Sequence, residues 1–255
     1  MAERRHTGPL QVQKPLYPEG RSVCHTVILH PPGGMAEGDI ARINVTQGPD
    51  SKTVLTSPAA TKWYKSNGRF ASQEVRIRLG ARAQLDWLPP ENILFENAHA
   101  NFRFHLELAP DASAIGWEIF VFGRRAMGEN WDTGALRLDA QFSDGSALLW
   151  AEKANITGRS GLRTAAQGLA AFPVVGTVWA IGPNCTDTLA ETLAPSLPFT
   201  DTLRAGVTCL NPGVLVIRAV AQKIEPLRDL MIRCWTCLRP VIHGRDPNPL
   251  RLWSV

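Results

Sequence analysis

Alternating apolar and polar residues are the dominant pattern in the sequence. In FRFHLEL, residues 102–108, every second residue is apolar, and Arg103, His105 and Glu107 stand between them. The segment LRLDAQF at 136–142 repeats the pattern. Alternation of this kind is typical of a β-strand that buries one face and exposes the other. The sequence therefore predicts a mostly β protein.

Further apolar segments extend this prediction along most of the chain. They are rich in β-branched and aromatic residues, and Gly, Pro, Asn or Asp separates most of them, so we expect a turn about every ten residues. The additional predicted strands are VRIRL (75–79), AQLDWL (83–88), WEIFVF (117–122), ALLWAEKA (147–154), VGTVWAI (175–181) and VLVIRAV (214–220).

Two helices are predicted near the C-terminus. The first is DTLAETLA at 187–194, and Pro195 ends it. The second runs from Pro226 to Leu238, with proline at the favoured first helical position and Pro240 stopping the helix. The apolar face of the second helix is formed by Leu227, Leu230, Met231, Cys234 and Leu238.

The composition is that of a folded chain without a membrane span. Of 255 residues, 44% are hydrophobic and 20% are charged, and the net charge of +4 is scattered, so no nucleic-acid partner is predicted. The N-terminus lacks the apolar core of a secretory signal, and the most apolar window, 169–181, is too short to cross a bilayer. An odd count of five cysteines then favours reduced thiols in the cytoplasm. Without a fixed repeat or a low-complexity linker, we expect a single domain over residues 1–255.

The segment HTVILHPPGGMAEGDI, residues 25–40, begins as an apolar strand and then runs into two prolines and three glycines. A phosphate-binding loop needs Lys-Ser or Lys-Thr directly after its glycines, and a dinucleotide fold needs G-x-G-x-x-G opening a helix. The segment has neither, and Glu37 and Asp39 would repel an anion. A turn between two strands, in which glycine adopts positive φ without strain, is the favoured interpretation.

The cysteines and histidines give only weak indications of a metal site. Cys234-x-x-Cys237 is the one paired-cysteine motif in the sequence, but it falls on the second predicted helix with Cys234 in the apolar face. Packing is favoured for both thiols, because free cysteine is among the most buried residue types. Cys24 and His30 share a strand face about 20 Å apart, so they cannot chelate one ion together.

Two acidic residues interrupt apolar strands. Glu118 lies within WEIFVF and Glu152 lies within LLWAEK. A carboxylate facing the core costs several kcal/mol unless it is paired, hydrated or protonated. The favoured interpretation is that each side chain points outward on its strand. The alternative is a polar, water-lined feature inside the protein.

Several segments occur together in the order and spacing of one protein family. Taken singly they are short, but their combination is specific, and they extend from Gly8 to Trp253. The segments are GPLQVQKPLYPEG, CHTVILHPPGGMAEGD, TSPAATKWYKSNG, LDWLPPENILFENA, GRRAMGE and PLRLW. In this set the chain resembles the urease accessory proteins of the UreD family, also called UreH.

The resemblance implies a fold, a function and partners. The implied fold is an elongated, β-helix-like stack of strands with about two helices. The implied function is that of a cytoplasmic maturation factor without enzymatic activity. Such a protein binds urease apoprotein and UreF, which in turn holds the nickel-carrying GTPase UreG. Nickel would pass through in transit, and no cofactor would be tightly bound.

The resemblance also implies site residues. Asp39, Glu118 and Glu152 match acidic or polar positions that resemble parts of a transient nickel route. In the glycine-rich segment the spacing differs from the family pattern, because Met35, Ala36 and Glu37 precede Gly38. The further matching residues, for which the sequence gives no role, are Gly33, Gly34, Gly38, Thr61, Lys62 and Tyr64.

Two features depart from the family pattern. The Cys-x-x-Cys pair does not belong to the pattern, which further favours packing for both thiols. Family members usually carry at least one more strand before the segment that matches GPL, whereas this sequence starts almost at it.

An alternative function from a different class remains open at this point. A β-helix-type polysaccharide hydrolase could use Asp39, Glu118 and Glu152 as paired acids, because glycoside hydrolysis needs two carboxylates flanking the scissile bond. A groove lined with exposed aromatic residues would favour that alternative. The family motifs favour the maturation factor.

Overall fold

The fold is built from β-strands that follow one another along most of the chain. A computed structural model describes Met1 and residues 3–254. The predicted strands are all present, and short strands without clear alternation are added between them. In chain order the strands are β1 (Gln11–Val12), β2 (Val23–Leu29), β3 (Gly34–Met35), β4 (Ile40–Gln47), β5 (Lys52–Thr56), β6 (Thr61–Trp63), β7 (Ala71–Leu79), β8 (Gln84–Trp87), β9 (Asn92–Leu94), β10 (His99–Leu108), β11 (Ser113–Phe122), β12 (Ala135–Ser143), β13 (Leu148–Thr157), β14 (Val174–Ile181), β15 (Leu203–Asn211) and β16 (Val214–Ala221).

The N-terminal half winds as successive coils of parallel strands. Val23 in β2 pairs with Lys52 in β5, and Lys52 pairs in turn with Gln84 in β8. Gln84 then pairs with Ser113 in β11. Each coil therefore takes about 30 residues. A second column of parallel strands is β4, β7, β10 and β12, and a short third column is β3, β6 and β9. The prediction of a β-helix-like stack is confirmed.

The coils form two sheets that face each other. The larger, 11-stranded sheet has the order β1-β2-β5-β8-β11-β14-β16-β15, with the β3, β6 and β9 column attached through β9 to β11. The smaller, 5-stranded sheet has the order β13-β12-β10-β7-β4. Beyond β12 the pairing becomes antiparallel, because β13 folds back on β12 and β14 to β16 add to β11. Strands β13 and β15 thus end the two sheets.

Alternation along β11 divides the core into two parts. Ala114 and Phe120 face the space between the two sheets, where they join an aromatic-rich cluster with Phe104. Ile115 and Trp117 face the opposite side and pack in a second cluster. Residues of β11 that face the other sheet therefore alternate with residues that face outward, as the two-residue period of a β-strand requires.

The helices differ in part from the prediction. Helix α1 (Gly161–Thr164) was not predicted, and α2 (Asp187–Leu193) is followed by a 3₁₀ turn over Ala194–Ser196 that contains Pro195. Helix α3 (Ile224–His243) packs on the outer face of the large sheet. Two further 3₁₀ turns cover Arg125–Met127 and Arg251–Ser254.

The predicted end of α3 at Pro240 is wrong. The helix begins two residues before Pro226 and continues through Pro240 to His243. A proline inside a helix removes one backbone hydrogen bond. Here Ile242 and His243 are buried beyond it, and the Gly244 N–H closes the helix on the Pro240 carbonyl at 3.0 Å, so packing of the last turn outweighs the loss.

The predicted apolar face of α3 is confirmed, whereas the packing of Cys237 is not. Cys234 is 5% exposed and lies among the buried residues of the helix. Cys237 is exposed to solvent. Burial raises the pKa of the Cys234 thiol to about 12, so this thiol stays protonated at neutral pH.

Candidate functional site

The matched motifs lie on top of one another at one corner of the solenoid. Strand β3 of the glycine-rich segment pairs with β6 of the ATKWY segment, and β6 pairs with β9, which follows the WLPP segment. Lys62 N–H donates to the Gly33 carbonyl at 3.3 Å, and Tyr64 N–H donates to the Met35 carbonyl at 2.9 Å. Segments that are about 30 residues apart in sequence therefore build one continuous column.

Glycine is required in this column for two reasons. Gly33 and Gly38 have φ values of 72° and 82°, which confirms the predicted glycine-built turn. Gly34 has no such φ, but a Cβ placed on it would lie 2.6 Å from the Lys62 carbonyl oxygen and 2.7 Å from the ring of Tyr64. The next coil thus approaches the Gly34 backbone too closely for any side chain.

Asp39 holds the turn that follows. Its Oδ2 accepts a hydrogen bond from the Ala36 N–H at 2.8 Å, and its carbonyl accepts one from the Ser72 N–H at 2.8 Å. The residue is exposed, and it lies apart from the two glutamates. The structure therefore gives Asp39 a local structural role and does not bring it together with Glu118 and Glu152.

Glu118 and Glu152 both point into the space between the sheets. Glu118 shares its strand face with Ala114 and Phe120, and Glu152 shares its face with Trp150 and Ala154. The favoured prediction that these acids point outward is wrong, because both side chains lie on the inward faces of their strands. Side chains still alternate between the two faces of each strand, but one residue on the inward face, Glu118 in β11 and Glu152 in β13, is acidic instead of apolar.

A cavity of about 720 Å³ lies between the sheets and brings these acids together. Its apolar walls come from both sheets, and the segment around α1 covers one side. Both glutamates line it. The walls include Phe102, Phe104, Phe120, Phe142, Trp150 and Trp179.

Glu118 lies deep in this cavity. The indole Nε1–H of Trp87 donates a hydrogen bond to Glu118 Oε1 at 2.8 Å. Burial raises the pKa of the Glu118 carboxyl to about 8, and the Trp87 hydrogen bond opposes part of that increase. At neutral pH the carboxyl is therefore mostly protonated.

A smaller cavity of about 80 Å³ lies on the other side of Glu118 and Trp87. It extends toward the glycine-rich corner, where His30 and Gly33 line it. Burial lowers the pKa of His30, although the nearby charge of Asp39 acts in the opposite direction. Glu118 lines both cavities and stands between them.

A row of polar residues crosses the inner face of the large sheet. Glu118 is paired in register with Thr177 on β14, and Thr177 is paired with Arg218 on β16. The adjacent row, by contrast, is Phe120, Val175 and Val220.

Arg218 ends the polar row with an ion pair between the sheets. Its Nη1 and Nη2 donate to the two oxygens of Glu152 at 2.8 and 2.6 Å. Because Glu152 belongs to the smaller sheet, this ion pair bridges the two sheets beside the cavity. The sequence analysis missed Arg218. Its signal was available, since an arginine in VLVIRAV is as anomalous as a glutamate in WEIFVF.

Across Met1 and residues 3–254, no group of three or more His, Cys, Asp or Glu side chains is arranged to hold a metal ion. Within the same described residues, none of the helices has the length and apolar character needed to span a membrane.

The fold and the site define a class of protein: a β-solenoid with a largely apolar internal cavity that two glutamates line. The sequence model of the UreD urease accessory protein family matches residues 1–254. The urease accessory protein UreD of Cupriavidus necator is 51% identical over 258 aligned residues, which cover 100% of this chain and 89% of the relative. The chain belongs to the UreD family of urease accessory proteins.

Other relatives support the same assignment. The UreD proteins of Ralstonia nicotianae and Bordetella pertussis are 49% and 39% identical, with 100% of this chain covered in both and 88% and 91% of the relatives. The predicted family is therefore confirmed, and the chain has a role in urease maturation as an accessory protein rather than an enzyme. The polysaccharide hydrolase alternative is set aside on this ground.

Proposed function

We propose that the chain is a scaffold and nickel conduit in urease maturation. In this proposal it binds urease apoprotein and UreF in the cytoplasm as one domain, and nickel from the GTPase UreG, held by UreF, passes through it to the urease active site. The observation that carries the proposal is the convergence of Glu118 and Glu152 on one cavity between the sheets.

The chemistry of the cavity suits an ion in transit. Nickel stands high in the affinity order of divalent metals, so a cluster of His and Cys ligands would retain it. Carboxylate oxygens separated along a path bind more weakly, and conduction requires binding that is weak enough to permit release. Glu118 and Glu152 face the same space without forming a closed ligand set.

The two cavities suggest a path for the ion. Asp39 and His30 lie at the glycine-rich corner, the smaller cavity leads from His30 to Glu118, and the larger cavity leads from Glu118 to Glu152. We infer that the ion passes these side chains in sequence, in one direction or the other. Asp39 would act at the mouth of this path while it also holds its turn.

Substitution of the acids tests the conduit. Glu118→Gln removes a carboxyl that a cation could deprotonate and bind, and Glu152→Gln removes a negative charge. Both keep the side-chain shape, so partner binding should persist. We expect lower nickel content and lower activity in urease co-expressed with either variant, and a larger loss with both. Asp39→Asn should give a smaller loss, because the amide oxygen still accepts the Ala36 hydrogen bond.

Glu107→Gln provides the matched control, because Glu107 is also a strand glutamate paired with an arginine, Arg78, but faces solvent. It should leave nickel loading unchanged. Pull-down of UreF and urease with each variant separates the two roles of the protein. Normal nickel loading with the Glu118 and Glu152 double variant would refute the conduit, and loss of the pull-down would assign these residues to the scaffold.

A further inference from the structure

We propose that Arg218 is an exchangeable counter-ion that occupies Glu152 when no divalent cation is present and yields the carboxylate when one arrives. This inference rests on the proposed conduit, and it assigns to Arg218 the control of one binding position on that route. The contact that supports it is the two-point ion pair from Arg218 Nη1 and Nη2 to Glu152 at 2.8 and 2.6 Å.

The surroundings of Glu152 explain why a counter-ion is needed. Its side chain is only 23% exposed and faces the apolar space between the sheets, where an unpaired carboxylate is costly. Its partner Arg218 neutralises this charge. A cation that enters the cavity can use Glu152 only after the guanidinium has left, because one carboxylate cannot hold both in the same geometry.

The structure gives Arg218 room to leave. Its side chain is 50% exposed, so its charge is already partly hydrated. Its neighbour in register on the edge strand β15 is Gly206, and a Cβ built there would have no atom within 4 Å. The guanidinium can therefore turn toward solvent over Gly206 without displacing a side chain.

The position of Arg218 in the polar row links this exchange to the rest of the cavity. Glu118, Thr177 and Arg218 lie on neighbouring strands, so Glu118 and Arg218 are separated by about 10 Å at the backbone. The return of Arg218 to Glu152 would compete with a bound ion and promote its release. Arg218 thus both delays binding and prevents retention, which is what a transit position requires.

Arg204 offers a matched control within the same cavity. It also lines the cavity and carries the same charge, but its Nε donates to the Thr200 carbonyl at 3.1 Å and its guanidinium lies over Phe172 and Phe199. Arg204→Gln therefore removes a positive charge from the cavity wall without releasing Glu152. Arg218→Gln removes the same charge and releases Glu152.

The experiment is a titration of the 255-residue chain, carried on a solubilising fusion domain, with Ni²⁺ alone. We expect Arg218→Gln to bind Ni²⁺ roughly five- to tenfold more tightly than wild type, because the competing ion pair is absent. Binding by Arg204→Gln should equal that of wild type. Adding Glu152→Gln to Arg218→Gln should abolish the gain.

Arg218→Lys is a second, more conservative variant that can be measured if Arg218→Gln misfolds. Lysine keeps the charge but cannot make the two-point contact, so its Ni²⁺ affinity should lie between those of wild type and Arg218→Gln. Equal Ni²⁺ affinities for Arg218→Gln and Arg204→Gln would overturn the counter-ion role.

Failure of the counter-ion role is distinguishable from failure of the conduit. If urease still loses nickel with the Glu118 and Glu152 variants while Arg218→Gln binds Ni²⁺ like Arg204→Gln, only the role of Arg218 is removed. If urease keeps its nickel with those glutamate variants, the conduit itself is refuted, and the role of Arg218 is refuted with it.

Discussion

Gly34 shows how a single residue can link two segments that are distant in sequence. The sequence marked it as part of a motif and gave it no role. In the structure the Lys62 carbonyl and the Tyr64 ring occupy the space that a side chain would need. The motif in one coil and the motif in the next are therefore two sides of one contact.

The contact predicts the effect of adding one methyl group. Gly34→Ala would place Cβ 2.6 Å from the Lys62 carbonyl oxygen, and that oxygen cannot move without disturbing the pairing of β3 with β6. We expect the free energy of unfolding to fall by about 1–3 kcal/mol in urea denaturation of the fused chain. Gly48→Ala is the control, because no atom lies within 4 Å of its added Cβ. Equal stabilities of the two variants would contradict the packing role.

Glu118 predicts an unusual dependence of stability on pH. The folded state raises the pKa of its carboxyl from 4.5 to about 8, so the folded chain holds this proton more tightly than the unfolded chain. Its contribution to stability is complete below about pH 4.5 and is lost as the pH rises toward 8. Glu118→Gln does not titrate and should lack this loss.

The measurement compares urea denaturation of the wild type and Glu118→Gln at about pH 5.5 and about pH 8. Between these values the wild type should lose roughly 1–4 kcal/mol relative to the variant. A difference that does not change with pH would show that Glu118 is already ionised in the folded protein.

At the scale of secondary-structure elements, α3 is held to the large sheet by a buried charge network as well as by apolar packing. Asp86 on β8 accepts hydrogen bonds from Trp235 Nε1 at 2.8 Å and from Arg239 Nε at 3.1 Å. Arg239 also donates to Glu19 at 2.8 Å. Burial disfavours the charged Asp86, but His243, Arg239 and Trp235 outweigh this effect and lower its pKa to about 2.

This network predicts a large effect for one substitution on α3. Arg239→Met keeps the volume of a long side chain but removes the guanidinium that the buried Asp86 and the half-buried Glu19 share. Breaking a buried ion pair in this way costs about 3–5 kcal/mol. Arg233→Met, on the exposed side of the same helix, should change the unfolding free energy by less than about 0.5 kcal/mol. Similar losses for both variants in chemical denaturation would show that the network does not anchor the helix.

At the scale of the whole molecule, the sequence predicted the strands well and their arrangement only through family resemblance. Apolar and polar residues alternate in a strand because only one face is buried, and this alternation is visible in FRFHLEL and LRLDAQF. The coils of about 30 residues do not appear as a repeat in the amino-acid sequence. Backbone pairing sets their register, and the inward positions need only be apolar, so successive coils can carry different residues. Periodicity alone could not distinguish this stack from a sandwich.

The site could be predicted only in part for a related reason. Glu118 and Glu152 were recognisable as acids in apolar strands, but their direction depends on which face of each strand meets the other sheet. That is a property of tertiary packing. Arg218 was recognisable in the same way, as an arginine in an apolar strand, but its pairing with Glu152 depends on how the two sheets pack, which no local pattern indicates.

The surface of the whole molecule predicts dependence on a partner for solubility. Several large apolar side chains are exposed, with Phe199 at 80%, Met127 at 71% and Leu148 at 62%. Exposed apolar side chains become interaction or aggregation sites where they gather into a contiguous patch. We expect the isolated chain to be aggregated or poorly soluble and to become soluble when it is co-expressed with UreF.

The test measures the soluble fraction and the size distribution of the chain with and without UreF. Phe199→Ser and Leu148→Ser should each raise the soluble fraction of the isolated chain, because each replaces an exposed apolar side chain with a small polar one. The control Val27→Ser changes a side chain that is only 7% exposed, so it should lower stability without improving solubility. A monodisperse isolated chain would contradict the prediction that solubility depends on a partner that covers these side chains.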